Sequence, residues 1–149
     1  MQNKPNEQSV SSWVSLVRAY QTAMNTVETA LKEANFPPLN WYDVLLELEK
    51  VSPSGLRLIE LEKKLLIAQY GISRLASKME ANGLIARRQC PDDKRSQIVE
   101  LTDKGRTLRQ DMWPVYSSAV QRSIGSRLTN LEAETLTEIL NKIILQKRS

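Results

Sequence analysis

Histidine is absent from this chain of 149 residues, cysteine occurs once, at Cys90, and the five glycines stand singly at 55, 71, 83, 105 and 125. Each scarcity removes a class of chemistry. Without histidine, with one thiol and with no cluster of carboxylates at ligand spacing, neither a zinc site nor a Ser-His or Cys-His nucleophile can be assembled. No metal, no cofactor and no enzymatic activity are therefore expected. Isolated glycines form no phosphate-cradling loop, which removes nucleotide chemistry. No run of about 18 apolar residues exists, so no membrane span is predicted. One cysteine forbids an intrachain disulfide, and the polar opening Met1-Gln2-Asn3-Lys4-Pro5-Asn6 lacks the apolar stretch of a signal peptide. Both features predict a cytoplasmic location.

What is present is enough apolar material for a core, and a lopsided charge. Hydrophobic residues make up 41% of the chain, which fits one domain or a domain with an oligomerisation arm. The formal net charge is +4, yet residues 63–109 hold 11 Lys/Arg against 5 Asp/Glu, whereas residues 1–62 hold 5 against 8. A basic excess gathered in one stretch is the footprint of a phosphate-binding face. An acidic protein partner would use the same excess, and charge alone leaves the two open.

Periodicity gives mostly helix. Val10, Trp13, Val17, Tyr20, Met24, Val27 and Leu31 alternate spacings of three and four, the seam of a helix that packs along its length. Pro37-Pro38 breaks that helix, and Asn40 is placed to cap a second, with the stripe Trp41, Val44, Leu45 and Leu48. After Pro53, Ser54 and Gly55, residues 56–58 read as a short strand leading into a third helix over 59–65, with Leu61 and Leu65 facing inward. Near the C-terminus, Thr102 is placed to cap a long helix with Asp103 in its first turn and the stripe Leu108, Met112, Val115, Tyr116 and Ala119. Pro114 inside that stripe predicts a kink. Thr129 and Glu132 have capping-box spacing ahead of Leu136, Ile139, Leu140, Ile143 and Ile144. These terminal helices carry more apolar face than one small domain uses, and the surplus predicts burial against a second copy. A purely intrachain core is the other reading of the N-terminal seam.

The most informative stretch is residues 69–106. Ile72, Leu75, Ala76 and Met79 fall on one stripe of an amphipathic helix, and Tyr70, Ser73, Arg74, Ser77 and Lys78 occupy its other face. Such side chains suit base edges and phosphates in a major groove, although a merely solvated face has the same composition. Asn82-Gly83 stops the helix, and residues 84–89 follow as a strand. The run Cys90-Pro91-Asp92-Asp93-Lys94-Arg95 reads as a polar hairpin tip, with residues 97–101 as the returning strand. If the tip is extended, Arg95 lies on the same side as Asp93, whose carboxylate can hold the guanidinium for insertion into a minor groove.

Taken together, Ser73-Arg74-Leu75, Lys78-Met79-Glu80-Ala81-Asn82-Gly83-Leu84-Ile85, Arg87-Arg88, Asp92-Asp93-Lys94-Arg95 and Leu101-Thr102-Asp103-Lys104-Gly105-Arg106 resemble the signature stretch of the MarR transcription regulators. The resemblance implies a mainly α fold with a small β-hairpin wing (α+β), a winged helix-turn-helix domain over 37–101 flanked by dimerisation helices at 1–36 and 102–149. It implies a homodimeric, sequence-specific regulator of double-stranded DNA, of repressor type, on a near-palindromic operator. Gln69, Tyr70, Ser73, Arg74, Ser77, Lys78, Arg87, Asp93, Lys94 and Arg95 are then the expected DNA contacts. Trp13, Tyr20, Trp41, Tyr42 and Trp113 fall on helices that in the family line a cleft for small aromatic or phenolic effectors, and are the expected ligand contacts, though each serves equally as core. A protein-interaction module that has given up DNA for an acidic partner is the alternative.

Three positions stand apart. Where the family usually has a hydroxyl residue at the start of the reading helix and a threonine in its first turn, this chain has Ala68 and Gly71. A lost cap costs about 0.5–2 kcal/mol and a helical glycine about 1 kcal/mol relative to alanine, so a soft helix start is expected. Cys90, beside Arg87, Arg88 and Lys94 but also Asp92 and Asp93, reads as an incidental cysteine before a redox switch.

Overall fold

The computed structural model describes residues 3–67 and 70–145. Its elements run α1 (Glu7–Glu33), α2 (Leu39–Lys50), β1 (Leu56–Arg57), α3 (Leu58–Lys64), α4 (Ile72–Ala81), β2 (Ile85–Cys90), β3 (Asp93–Leu101), α5 (Asp103–Val120), a π-turn at Gln121–Gly125 and α6 (Asn130–Ile144). The three strands form one antiparallel sheet in the order β1-β3-β2. Mainly helical with a small sheet, this is a winged helix-turn-helix architecture. No helix of the described residues is long and apolar enough to cross a membrane.

The chain divides into two compact units, Leu31–Val115 and the terminal segments up to Ala30 and from Tyr116 onward. The first is the wing unit. Its core draws Val44, Leu45 and Leu48 from α2, Leu56 from β1, Leu61 from α3, the Ile72, Leu75, Ala76 and Met79 stripe from α4, Leu84 and Ile85 after it, and Val99 from β3. Each such side chain contributes roughly 1.5–3 kcal/mol on leaving water. The stripe read from spacing is thus the buried face of α4, which leaves the opposite face to solvent.

Local chemistry fixes both ends of the wing. At the end of α4, Gly83 adopts φ 75° while its N–H donates to Glu80 O at 2.9 Å and the N–H of Leu84 donates to Met79 O at 3.0 Å. This pair of bonds satisfies orphan carbonyls and turns the chain into β2. At the start of α5, Thr102 Oγ1 accepts from the N–H of Gly105 at 3.0 Å and donates to Gly83 O at 2.7 Å, so one hydroxyl both caps a helix and ties it to the turn after α4.

Several boundaries differ from the sequence reading. Asn40 lies inside α2, and Pro38 holds the N-cap position with φ −58°, its carbonyl accepting from the N–H of Trp41 at 3.0 Å. The fixed proline torsion starts the helix before a side-chain cap is reached. Gly71 is not in the first turn of α4 but at its N-cap, left-handed at φ 70°, ψ 46°. No helical-glycine penalty arises there; glycine instead supplies a backbone conformation that other residues adopt at a cost. Ala68 lies outside the described residues. The wing tip is also shorter than expected, because Cys90 pairs with Asp93 and only Pro91 and Asp92 turn the corner, with a bulge between Gln89 and Cys90. Pro114 lies inside α5, which continues to Val120.

In the terminal unit, Thr129 and Glu132 form the reciprocal capping box at the head of α6, with N–H to side-chain distances of 3.1 and 2.9 Å. None of the residues of α6 is buried. Its stripe is open to solvent, as is the N-terminal half of the α1 seam, where Trp13 is 66% and Tyr20 57% exposed.

Candidate nucleic-acid interface

With its apolar stripe buried, α4 presents Ser73, Arg74, Ser77 and Lys78 to solvent on one face. Ser77 Oγ donates to Ser73 O at 3.0 Å along the helix, and no carboxylate lies within ion-pair distance of Arg74 or Lys78 among the described residues. Tyr70, expected on the same face, stands ahead of the helix instead, 98% exposed. Gly71 starts the helix too late to include it. Gln69 lies outside the described residues.

The wing supplies the second part. Asp93 begins β3, and Arg95 follows on the same side, as period-two geometry requires. The carboxylate does not grip the guanidinium, however: Oδ1 accepts from the Arg95 backbone N–H at 3.0 Å and Oδ2 from Ser96 Oγ at 3.1 Å, leaving Arg95 Nε 3.9 Å away. That separation is too long for a hydrogen bond. Asp93 therefore fixes the backbone of the tip, and Arg95 projects from it 96% exposed. Gln89 Nε2 donates to Lys94 O at 2.7 Å and braces the tip from β2.

Arg87 is placed differently from the other expected contacts. Its Nη2 and Nε donate to Glu80 Oε1 at 2.7 and 3.1 Å, joining β2 to the last turn of α4. The hydrogen bond from Arg87 holds the Glu80 carboxyl below its ordinary range. With only 20% of its side chain exposed, Arg87 is a brace between helix and wing and stands apart from the exposed set. Arg88 is similarly engaged by Glu100.

The two halves meet in a groove of about 490 Å³ lined by Arg57, Ile59, Ser73, Lys94, Arg95 and Gln97 among others, with Glu62 as the acidic side chain on its wall. Here the structure brings together Ser73 of α4 and Lys94 and Arg95 of the wing. It also adds three residues that sequence reasoning missed: Arg57, Ser96 and Gln97. Arg57 reaches the groove because β1 pairs with β3, Arg57 opposite Ile98, and no local pattern encodes that partnership. If Arg57 meets a phosphate, Arg57→Ala should shallow the slope of log affinity against log salt by about 0.9. An unchanged slope in binding titrations would remove it from the interface.

The expected ligand contacts divide between the two units. Trp13 and Tyr20 lie exposed on α1. In the wing unit Tyr42 is buried and stacks on Trp113, ring centroids 6.2 Å apart, and Arg109 Nη1 donates to Tyr42 Oη at 3.3 Å while its guanidinium also pairs with Glu49. Tyr42 is thus framework. Trp41 lines a separate groove of about 600 Å³ with Pro37, Leu84 and Leu108, and with Asn82, Lys104 and Asp111 as polar groups. Cys90 is 4% exposed, which shields the thiol that an oxidant sensor would present.

A helix with one polar outer face, a cationic hairpin beside it and a basic groove between them define a DNA-binding winged helix-turn-helix protein. The model of the MarR family matches residues 35–96. The HTH-type transcriptional regulator YkoM of Bacillus subtilis is 30% identical over 141 residues, covering 92% of this chain and 89% of that protein. The HTH-type transcriptional regulator MhqR of the same organism is 25% identical over 142 residues, 95% of each chain. Among solved structures, Sco3205 of Streptomyces coelicolor, a MarR family transcriptional regulator in complex with DNA, superposes with a TM-score of 0.85 at 28% identity, covering 99% of this chain and 94% of that one. The chain belongs to the MarR family of transcriptional regulators.

Proposed function

We propose that the protein is a homodimeric repressor that reads a near-palindromic operator, with Ser73, Arg74, Ser77 and Lys78 in the major groove and Arg95 in the adjacent minor groove. One observation carries this reading: the groove that places Ser73 of α4 beside Lys94 and Arg95 of the wing. When a helix fills one DNA groove and a hairpin enters the next, the phosphate backbone dividing the grooves must pass between them. The channel between α4 and β3 lies where that backbone would run, and Arg57 and Lys94 would neutralise it. Two-fold symmetry then sets half-site centres about 10 base pairs apart. A dimer seated across both grooves represses by occupying the promoter.

Release by a small aromatic acid fits the groove beside Trp41, where apolar walls meet Lys104 and where the α4 C-cap residue Asn82 forms part of the lining. A ligand bound there would act on the end of the reading helix and shift the population away from the DNA-competent form.

The test is selection of genomic fragments by the purified protein, followed by titrations on the recovered sites with Arg95→Ala alongside. Recovery of a near-palindrome, with the variant losing about 1–3 kcal/mol of binding, is the expected result. Binding that depends on salt but not on sequence would overturn the regulator reading in favour of a module for an acidic protein.

A further inference from the structure

Asp43 on α2 is the one buried charged side chain among the described residues, 6% exposed. Its Oδ2 accepts from the backbone N–H of Ile67 at 3.0 Å, and the neighbouring Leu66 N–H adds to the field that favours the charged form. Both N–H groups belong to the segment that leaves α3, and only Ala68 and Gln69 separate Ile67 from Tyr70 at the approach to α4. Gly71 gives α4 no side-chain cap, and Tyr70 and Leu66 are 98% and 77% exposed. A buried carboxylate directed at this segment holds its backbone through a polar bond, beside the apolar contacts that Leu65 and Ile72 make with the core.

We propose that Asp43 is a positioning residue for DNA reading: its carboxylate tethers the segment leaving α3, sets where the chain enters α4, and loosens the reading helix when it loses its charge. The inference rests on the DNA-binding reading above and adds a pH response to it.

Burial raises the Asp43 pKa above its ordinary value of 3.8, against the lowering effect of the Ile67 and Leu66 N–H groups; Glu47 on the same helix raises it further and Lys50 lowers it. Two consequences have opposite signs. A carboxyl whose folded pKa lies above its unfolded value favours the fold more as pH falls through the window between them, so acidification does not weaken the fold through Asp43. The Ile67 N–H bond favours the carboxylate and fades when it is protonated, so the same acidification weakens the tether. Operator affinity should fall on the acid side while thermal stability does not follow it. Protonation of surface carboxylates would by itself strengthen binding to a polyanion, so a fall has the opposite sign to the general charge effect. With no histidine in the chain, no imidazole adds a titration of its own to this response.

Asp43→Asn leaves a single acceptor oxygen for the Ile67 N–H and removes the charge that strengthens that bond. In the full-length protein the variant should melt no lower than wild type and bind the recovered operator about tenfold more weakly, the size of one weakened bond to a charged group. It should also lack the acid-side fall in affinity that wild type shows. The Ile67 amide proton should shift with pH in wild type and stay flat in the variant. Unchanged affinity, a melting temperature that drops in parallel with affinity, or a wild-type affinity that only rises on acidification would each overturn the proposal. Failure of wild type to prefer any duplex would overturn the DNA reading and this inference with it, and a titrating Ile67 amide would then show that the reading, not the tether, had failed.

Discussion

Replacing Ile139 and Ile143 together by aspartate should hold the protein as a monomer and lower operator affinity on the order of a hundredfold or more. In α6 the stripe Leu136, Ile139, Ile143 and Ile144 is 39%, 51%, 59% and 69% exposed, and on α1 Val10 and Trp13 are 47% and 66% exposed. Exposed apolar faces of this kind suit the contact between copies that the homodimer proposed above requires. Two carboxylates placed in that contact would be desolvated without partners, a cost that an interface of ordinary size does not absorb. Once the copies separate, each half-site is bound alone and the gain from linked binding, about 10²-fold to 10⁴-fold, is lost. Sedimentation of wild type and variant across a concentration range, with operator titrations, checks both halves. A variant that remains dimeric would place the interface elsewhere.

Met79→Ala should destabilise the wing unit by about 2–5 kcal/mol. Met79 is fully buried in the cluster that holds Leu61, Leu75, Ile85 and Val99. Its truncation leaves a cavity under α4 at the end where Met79 O accepts from Leu84 N–H. Urea unfolding monitored by tryptophan fluorescence, which Trp41 at the edge of this core should report, measures the change. A loss under about 1 kcal/mol would mean that the core closes over the gap and that α4 is held chiefly by the wing.

The elements and their faces were legible in the chain, and the reason is local. The stripe of α4, the Thr102 cap, the Thr129 and Glu132 box and the short strand that starts at Leu56 rest on spacings within a turn or two, which periodicity and capping chemistry read directly. What escaped depends on partners distant in sequence or on backbone torsions. That Arg87 would meet Glu80 requires the register of β2 against the end of α4, and that Arg57 would join the groove requires β1 to pair with β3. Asp43, flanked by Tyr42 and Val44, gave no sign of burial, because a charged residue in an amphipathic pattern reads as outward until its backbone partners are known. Gly71 shows the limit of residue preference: the resemblance to the family put it inside a helix, and only its positive φ shows that it begins one.

The helix proposed to read DNA, α4, is held unequally. Its last turn is bound to the wing through Arg87 and Glu80 and to α5 through Thr102 and the Gly83 carbonyl, whereas Ser73 and Arg74, near its start, hang outside the core. Exchanging these outward side chains leaves the buried stripe and every cross-link untouched. What the helix recognises is thereby separable from what keeps it folded, and a descendant of this chain can acquire a new target through a few surface replacements without first acquiring a new fold.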